Sequence, residues 1–165
     1  MYWVSVSRNS FSGRAAAAAV VALWLLAGCA GQESPEQQIR TMLDSAARAV
    51  EQRALNQVKS FISPDYLDDR QRNRGAVMGL LTGYILRHKS IHLLTQINRI
   101  ELPQPGQARV SMFVAMAGRP IEAASRLIDV RADLFRVDLQ LALQEGEWRV
   151  ESGSWRRADR SDFLE

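Results

Sequence analysis

The stretch "FRVDLQLAL", residues Phe135 to Leu143, decides the fold. Phe135, Val137, Leu139, Leu141 and Leu143 stand at every second position, with Arg136, Asp138 and Gln140 between them. Side chains of an extended chain point alternately to opposite faces, so the pattern predicts a strand with one dry side and one wet side. Such strands belong to antiparallel sheets packed on a single face.

The neighbouring segments extend the sheet in both directions. Upstream, "ARVSMFVAMAG" sets Val110, Met112, Val114 and Met116 on one face, and "SIHLLTQINRIEL" before it is rich in branched apolar residues and is expected to stop at the turn "PQPGQ". Downstream, Gly146 turns the chain into "EWRVESGSWRRA", with a bulge expected at Gly153. Between the second and third strands, "GRPIEAASRLIDVRAD" reads as a connection with some extended structure.

Before the strands the apolar period is helical. Ser34 can cap a helix, Pro35 suits its first position, and Gln37 completes a capping box. Ile39, Leu43, Ala46 and Val50 then form one stripe. A short second helix through Leu55, Val58 and Ile62 ends at Pro64, which disfavours helix at Ser63. The third runs through Val77, Leu80, Leu81, Tyr84 and Ile85, with Gly79 and Gly83 one turn apart. Helices followed by a meander of antiparallel strands give an α+β domain with the helices on one face of the sheet.

The opening helix, "LNQVKSFISPDY", the third helix ending near His88, and four strands closing on Gly146-Glu147-Trp148-Arg149-Val150 resemble the nuclear transport factor 2-like superfamily, also called cystatin-like or SnoaL-like. The resemblance runs from about Glu36 to about Arg157. It implies a curved antiparallel sheet around N-terminal helices, forming a cone that can hold an apolar pocket. Tyr84, Met112, Phe135, Val137, Leu139 and Leu141 are the pocket or core candidates. The superfamily includes ketosteroid isomerases, dehydratases and epoxide hydrolases, and also members without known catalysis.

An isomerase of that kind needs a carboxylate base together with a tyrosine and a protonated acid facing the developing oxyanion. Tyr66, Tyr84, Asp65, Asp133 and Asp138 are the available types, and none of them falls on a recognisable catalytic position. Asp138 alternates away from the apolar stripe and Asp65 lies in an apparent turn, so no catalytic residue is assigned. His88 and His92 straddle the helix-to-strand junction with no acid nearby, so neither a metal nor another cofactor is expected. The charge run "DDRQRNRG", Asp68 to Gly75, reads as a solvated loop; its alternative is an anion contact through Arg70, Arg72 and Arg74.

The only cysteine, Cys29, ends the apolar part of "LWLLAGCAGQ". Ahead of it stand Arg8 and Arg14 with no acid, then an uncharged run from Ala15 to Ala27. That run is shorter than the roughly 20 apolar residues of a membrane span. A charged start, an apolar run and small residues make an export signal. Leu26-Ala27-Gly28-Cys29 resembles the lipobox of bacterial lipoproteins. The resemblance implies a signal peptide over residues 1–28 and acyl chains such as palmitate on Cys29, which leaves a tether over 29–34, the NTF2-like domain expected over 35–158 and a tail over 159–165. Ala30, where an Asp would imply inner-membrane retention, implies the periplasmic face of the outer membrane.

The chain carries 21 Lys+Arg against 18 Asp+Glu, and loss of Arg8 and Arg14 leaves 19 against 18. A nearly neutral mature protein does not point to nucleic acid. The expected function is therefore a lipid-anchored module that binds an apolar ligand or an envelope protein, with a homodimer through the sheet face as a further expectation. The alternative is a periplasmic isomerase, dehydratase or hydrolase using the same pocket.

Overall fold

The computed structural model describes residues 33–121, 123 and 131–163. Cys29, the signal segment and half of "GRPIEAASRLIDVRAD" lie outside the described residues.

Helix α1 is Pro35–Glu51. Ser34 Oγ accepts the amide hydrogen of Gln37 at 3.2 Å, satisfying one of the first-turn donors that a helix leaves unpaired. Ile39, Met42, Leu43 and Ala49 are its buried residues, while Ala46 and Val50 are half-buried, so the contact stripe is rotated slightly from the expected one. Helix α2, Leu55–Ser60, follows a reversal at Arg53, whose φ of 58° is left-handed. Ile62 was expected to continue that helix; it pairs with Val150 instead, as Pro64 forces the chain out of helix. Helix α3, Arg74–Arg87, is capped by Asn73 Oδ1, which accepts from the Ala76 amide at 3.0 Å.

Strands β1 (His92–Gln104), β2 (Gln107–Ala117), β3 (Ala132–Gln144) and β4 (Glu147–Arg157) form a curved antiparallel sheet in the order β1-β2-β3-β4. β1 continues past the expected stop, through Pro103 to Gln104, with its register shifting after Glu101. An edge strand tolerates the missing proline amide there. Glu145 and Gly146, with φ of 54° and 84°, make the two-residue β3–β4 turn. A short 3-10 helix, Arg160–Phe163, follows β4.

The core lies between α1 and one sheet face. Ile39, Met42 and Leu43 pack with Ala108, Val110, Met112, Leu141 and Trp148, each such large side chain contributing about 1.5–3 kcal/mol by burial. Trp148 Nε1 donates to Gln38 Oε1 at 3.1 Å, so the indole is buried without losing its hydrogen bond. Leu143, in phase with this stripe, is 44% exposed because it sits beside the hairpin turn.

Two expectations need correction. The second face of β3 is not wet throughout: Leu134 is buried with Phe113 and Ala115 in a second apolar cluster, joined by Leu94, Ile121, Ala132 and Ala158. Ala158 reaches it because the chain after β4 folds back, its amide donating to Leu134 O at 2.9 Å. The bulge of β4 falls at Glu151 rather than at Gly153, which pairs in register with Leu139. Gly153 has another reason to be glycine. A Cβ there would sit 3.0 Å from Leu139 Cδ2 and 3.4 Å from Tyr66 Oη, so the missing side chain lets Tyr66 lie down on the sheet.

Candidate functional site

At the end of the sheet away from the α1 core, α3 and β3 bring a tyrosine, a carboxylate and a histidine to one small cavity. Tyr84 comes from the last turns of α3, and Asp133 is the second residue of β3, on the same face as Phe135. Met116 of β2 stands directly opposite Asp133 in the ladder. The Tyr84 hydroxyl donates to Asp133 Oδ2 at 3.4 Å, and Arg157 Nη1 lies 3.6 Å from Asp133 Oδ1. His88 is the C-cap of α3; its ring stacks on Tyr84 with centroids 4.1 Å apart, and its Nδ1 is 2.8 Å from Tyr84 O. The cavity has a volume of about 340 Å³ and is lined by Tyr84, His88, Met116, Ala117 and Asp133 together with Gly118, Arg131 and Ala132.

Burial raises the Tyr84 phenol above its ordinary pKa, and the negative charge and hydrogen bond of Asp133 push it further the same way. Tyr84 is therefore a neutral donor at any physiological pH. Asp133 is 40% exposed and sits beside the Arg157 guanidinium. It is an ion-paired, hydrated acceptor, unlike the desolvated carboxylate that general-base chemistry uses.

The other candidates lie elsewhere. Leu141 and Met112 are buried in the α1 core, Val137 and Leu139 pack half-buried against it, and Phe135 is half-buried nearer the cavity. Asp138 faces the opposite side of the sheet, 3.6 Å from Arg136 Nε. In the "SPDY" turn it is Ser63 Oγ that accepts, from the Asp65 amide at 3.2 Å. Tyr66 is 4% exposed, its phenol pushed up to about 12 by burial and by the nearby Asp68 charge. His92 opens β1 opposite Ala117, so the two histidines are held by different elements. Among the described residues no three His, Cys, Asp or Glu side chains gather to hold a metal.

The charge run proves to be a clasp. Asp68, 3% exposed, accepts from the amides of Arg70 and Arg72 at 2.9 and 2.8 Å and from Arg72 Nε at 2.5 Å. The Arg72 guanidinium lies 4.2 Å from the Trp155 ring centre, and Arg74 Nη1 donates to Ile62 O at 3.3 Å. Two of the three arginines offered for anion contact are thus committed within the fold. Burial alone would raise the Asp68 carboxyl; the hydrogen bonds from Arg72 and Arg70 outweigh it and hold the group below its usual 3.8. A carboxyl with a lowered folded-state pKa stabilises the fold above the unfolded value and loses that contribution as pH falls through the folded one. The wild type is therefore expected to lose melting temperature as pH drops towards 3.8 and below, and Asp68→Asn to start lower and fall less. Parallel pH profiles for both proteins would contradict the clasp.

The sheet face away from α1 forms a polar groove of about 690 Å³ across the strands, lined among others by Arg99, Arg109, Ser111, Arg136, Asp138 and Gln140. Arg136 Nη2 donates to Ser111 Oγ at 3.4 Å, and Arg99 pairs with Glu101 at 3.1 Å.

No protein-family model matches the chain. No curated protein matches it either. Solved structures do. A scytalone dehydratase-like protein from Novosphingobium aromaticivorans superposes with a TM-score of 0.62 at 13% identity, over 75% of this chain and 84% of that one. An NTF2-like protein of unknown function from Pseudomonas putida gives 0.53 at 14%, over 75% and 88%. A protein with a cystatin-like fold from Nostoc punctiforme gives 0.57 at 7%, over 77% and 95%. At such identities the likeness is one of fold, and with the helix-backed curved sheet it leads to one conclusion: this chain carries a domain of the NTF2-like, or cystatin-like, fold.

Proposed function

We propose that the protein is an outer-membrane lipoprotein, anchored through acyl chains on Cys29 and facing the periplasm, whose domain binds a small amphipathic ligand without transforming it. The observation that carries the binding role is the Tyr84–Asp133 pair, 3.4 Å apart in a cavity that sets polar groups beside Met116, Ala117 and Ala132. A protonated phenol and a hydrated, Arg157-paired carboxylate recognise a polar end group, while Met116 and Ala117 accept an apolar body. The lipobox-like Leu26-Ala27-Gly28-Cys29 supports the anchor, and Ala30 the outer membrane. The polar sheet face, with arginines and acids interleaved, supports self-association by like faces in a homodimer.

A second reading has one observation in its favour. A tyrosine bonded to a carboxylate and stacked on a histidine is a set that acid–base chemistry uses, and one structural neighbour is described as dehydratase-like. Catalysis would require Asp133 to leave Arg157 and lose its water.

Two measurements test the proposal. Mass spectrometry of protein extracted from envelopes is expected to show a first peptide beginning at Cys29 and carrying acyl mass; an unmodified thiol would remove the anchor. The neutral fluorophore N-phenyl-1-naphthylamine is expected to bind the protein, and Tyr84→Ala to weaken that binding several-fold while Gln140→Asp leaves it unchanged. Equal binding by both variants would move the ligand site away from the cavity.

A further inference from the structure

We propose that helix α3 is a second membrane contact, laying its outward face on an anionic phospholipid surface. Leu80 and Leu86 are 51% and 79% exposed, and Ala76 and Gly79 are exposed on the same side. No charged residue lies between Arg74 and Arg87. A helix that is apolar all round normally has apolar partners on every side, yet Ile85 is the only buried residue of α3. Gly79 makes the same point from another direction. A Cβ there would meet nothing within 4 Å, so packing among the described residues does not explain a glycine that costs helix stability.

Charge identifies the occupant. From Arg70 to Ile100 the sequence holds no Asp or Glu. Arg70 is exposed ahead of the helix, and Arg87 and Lys89 are exposed at its end. Arg53 adds a further cation there, donating to His88 O and Lys89 O at 2.5 and 2.6 Å. A second copy docked by this face would bring Arg87 and Lys89 onto the same cations, while Asp133, the acid that the fold places against Tyr84 of the helix, already lies beside Arg157. Phospholipid headgroups supply the missing negative charge, and the acyl boundary behind them accepts the two leucines. The Arg87 guanidinium lies back along Gly83, 3.6 Å from where a Cβ would stand, which is how a long cation spreads its stem on an apolar face and keeps its head in the polar layer. The inference rests on the lipoprotein reading only in that the anchor would bring the surface within reach.

The test uses the full chain, purified from membranes and reconstituted into phosphatidylglycerol–phosphatidylethanolamine vesicles. Once Cys29 is acylated, Leu80→Cys supplies a single reactive thiol for a nitroxide label, and Gln140→Cys supplies the control on the polar sheet face. The label at position 80 is expected to collide several-fold more with membrane-dissolved oxygen, and several-fold less with an aqueous nickel chelate, than the label at 140. That protection should diminish in pure phosphatidylcholine or with Arg87→Glu and Lys89→Glu. A label at 80 as open to the nickel chelate as the control overturns the proposal, and so does equal protection in detergent solution, which would mean that protein covers the helix. The mass of the Cys29 peptide, measured on the same sample, shows separately whether the anchor exists.

Discussion

Leu141→Asp is expected to leave no cooperatively folded domain, while Gln140→Asp, one residue away, is expected to melt within a few degrees of the wild type. Leu141 is 2% exposed, among Ile39, Met42, Leu43 and Trp148, whose indole N–H is already given to Gln38 Oε1. The lost burial, the cavity and the desolvation of the new charge together cost on the order of 5 kcal/mol or more, comparable to the whole stability of a domain this size. Gln140 faces the polar groove opposite Arg109 in the ladder, where a negative charge is hydrated and has a cation beside it. Far-ultraviolet circular dichroism through a urea titration separates the two outcomes. Equal tolerance of both substitutions would mean that the β3 register is wrong.

Gly153→Val is expected to cost about 2–3 kcal/mol and to release Tyr66. The first added carbon would already stand 3.0 Å from Leu139 Cδ2, closer than side chains normally approach, and the two further methyls must enter the space of Tyr66. Valine suits a strand, so strand propensity works in favour of the substitution and a loss measures overpacking alone. Tyr66 gives an independent readout, since its phenol ionises near 12 while buried and should titrate closer to 10 once displaced. A raised folded-state pKa means that this contribution to stability is complete below pH 10 and fades as pH climbs towards 12, so the variant should show a shallower alkaline loss than the wild type. Unchanged phenol titration with an unchanged midpoint would show that Tyr66 does not rest on Gly153.

The layout of the fold was legible because it rests on periods. Alternation over Phe135 to Leu143 and the stripe from Ile39 suffice for a sheet with helices on one face, and short turns at Gly106 and Gly146 pair β1 with β2 and β3 with β4. What the periods do not contain is what else lies on the sheet. Ala132 and Leu134 fall on the phase read as wet, yet they join Phe113 and Ala115 in an apolar cluster to which the chain after β4 adds Ala158, a contact invisible to a local pattern. The cavity was half legible. Carrying the β3 alternation back two residues from Phe135 puts Asp133 on the inner face, a signal present in the sequence. Its meeting with Tyr84, 49 residues earlier, depends on how α3 crosses the sheet, and no spacing rule supplies that. The arginine-rich run misled for a related reason: composition shows exposed cations, whereas in the fold Arg72 turns to the Asp68 carboxylate and the Trp155 ring, and Arg74 to the Ile62 carbonyl.

The segment leading into that clasp also occupies the outer edge of β4. Ser63 and Leu67 donate their amides to Val150 O and Glu151 O, and Val150 returns its own amide to Phe61 O. A sheet margin with open donors and acceptors is a template on which further chains can polymerise, and crowding of many copies into two dimensions would speed that growth. The segment from Phe61 to Leu67 occupies this margin at Val150 and Glu151, and the last residues of the opposite one include Pro103, which has no amide to offer. Along that stretch of β4, a neighbouring chain would have to displace backbone that is already paired before it could add a strand.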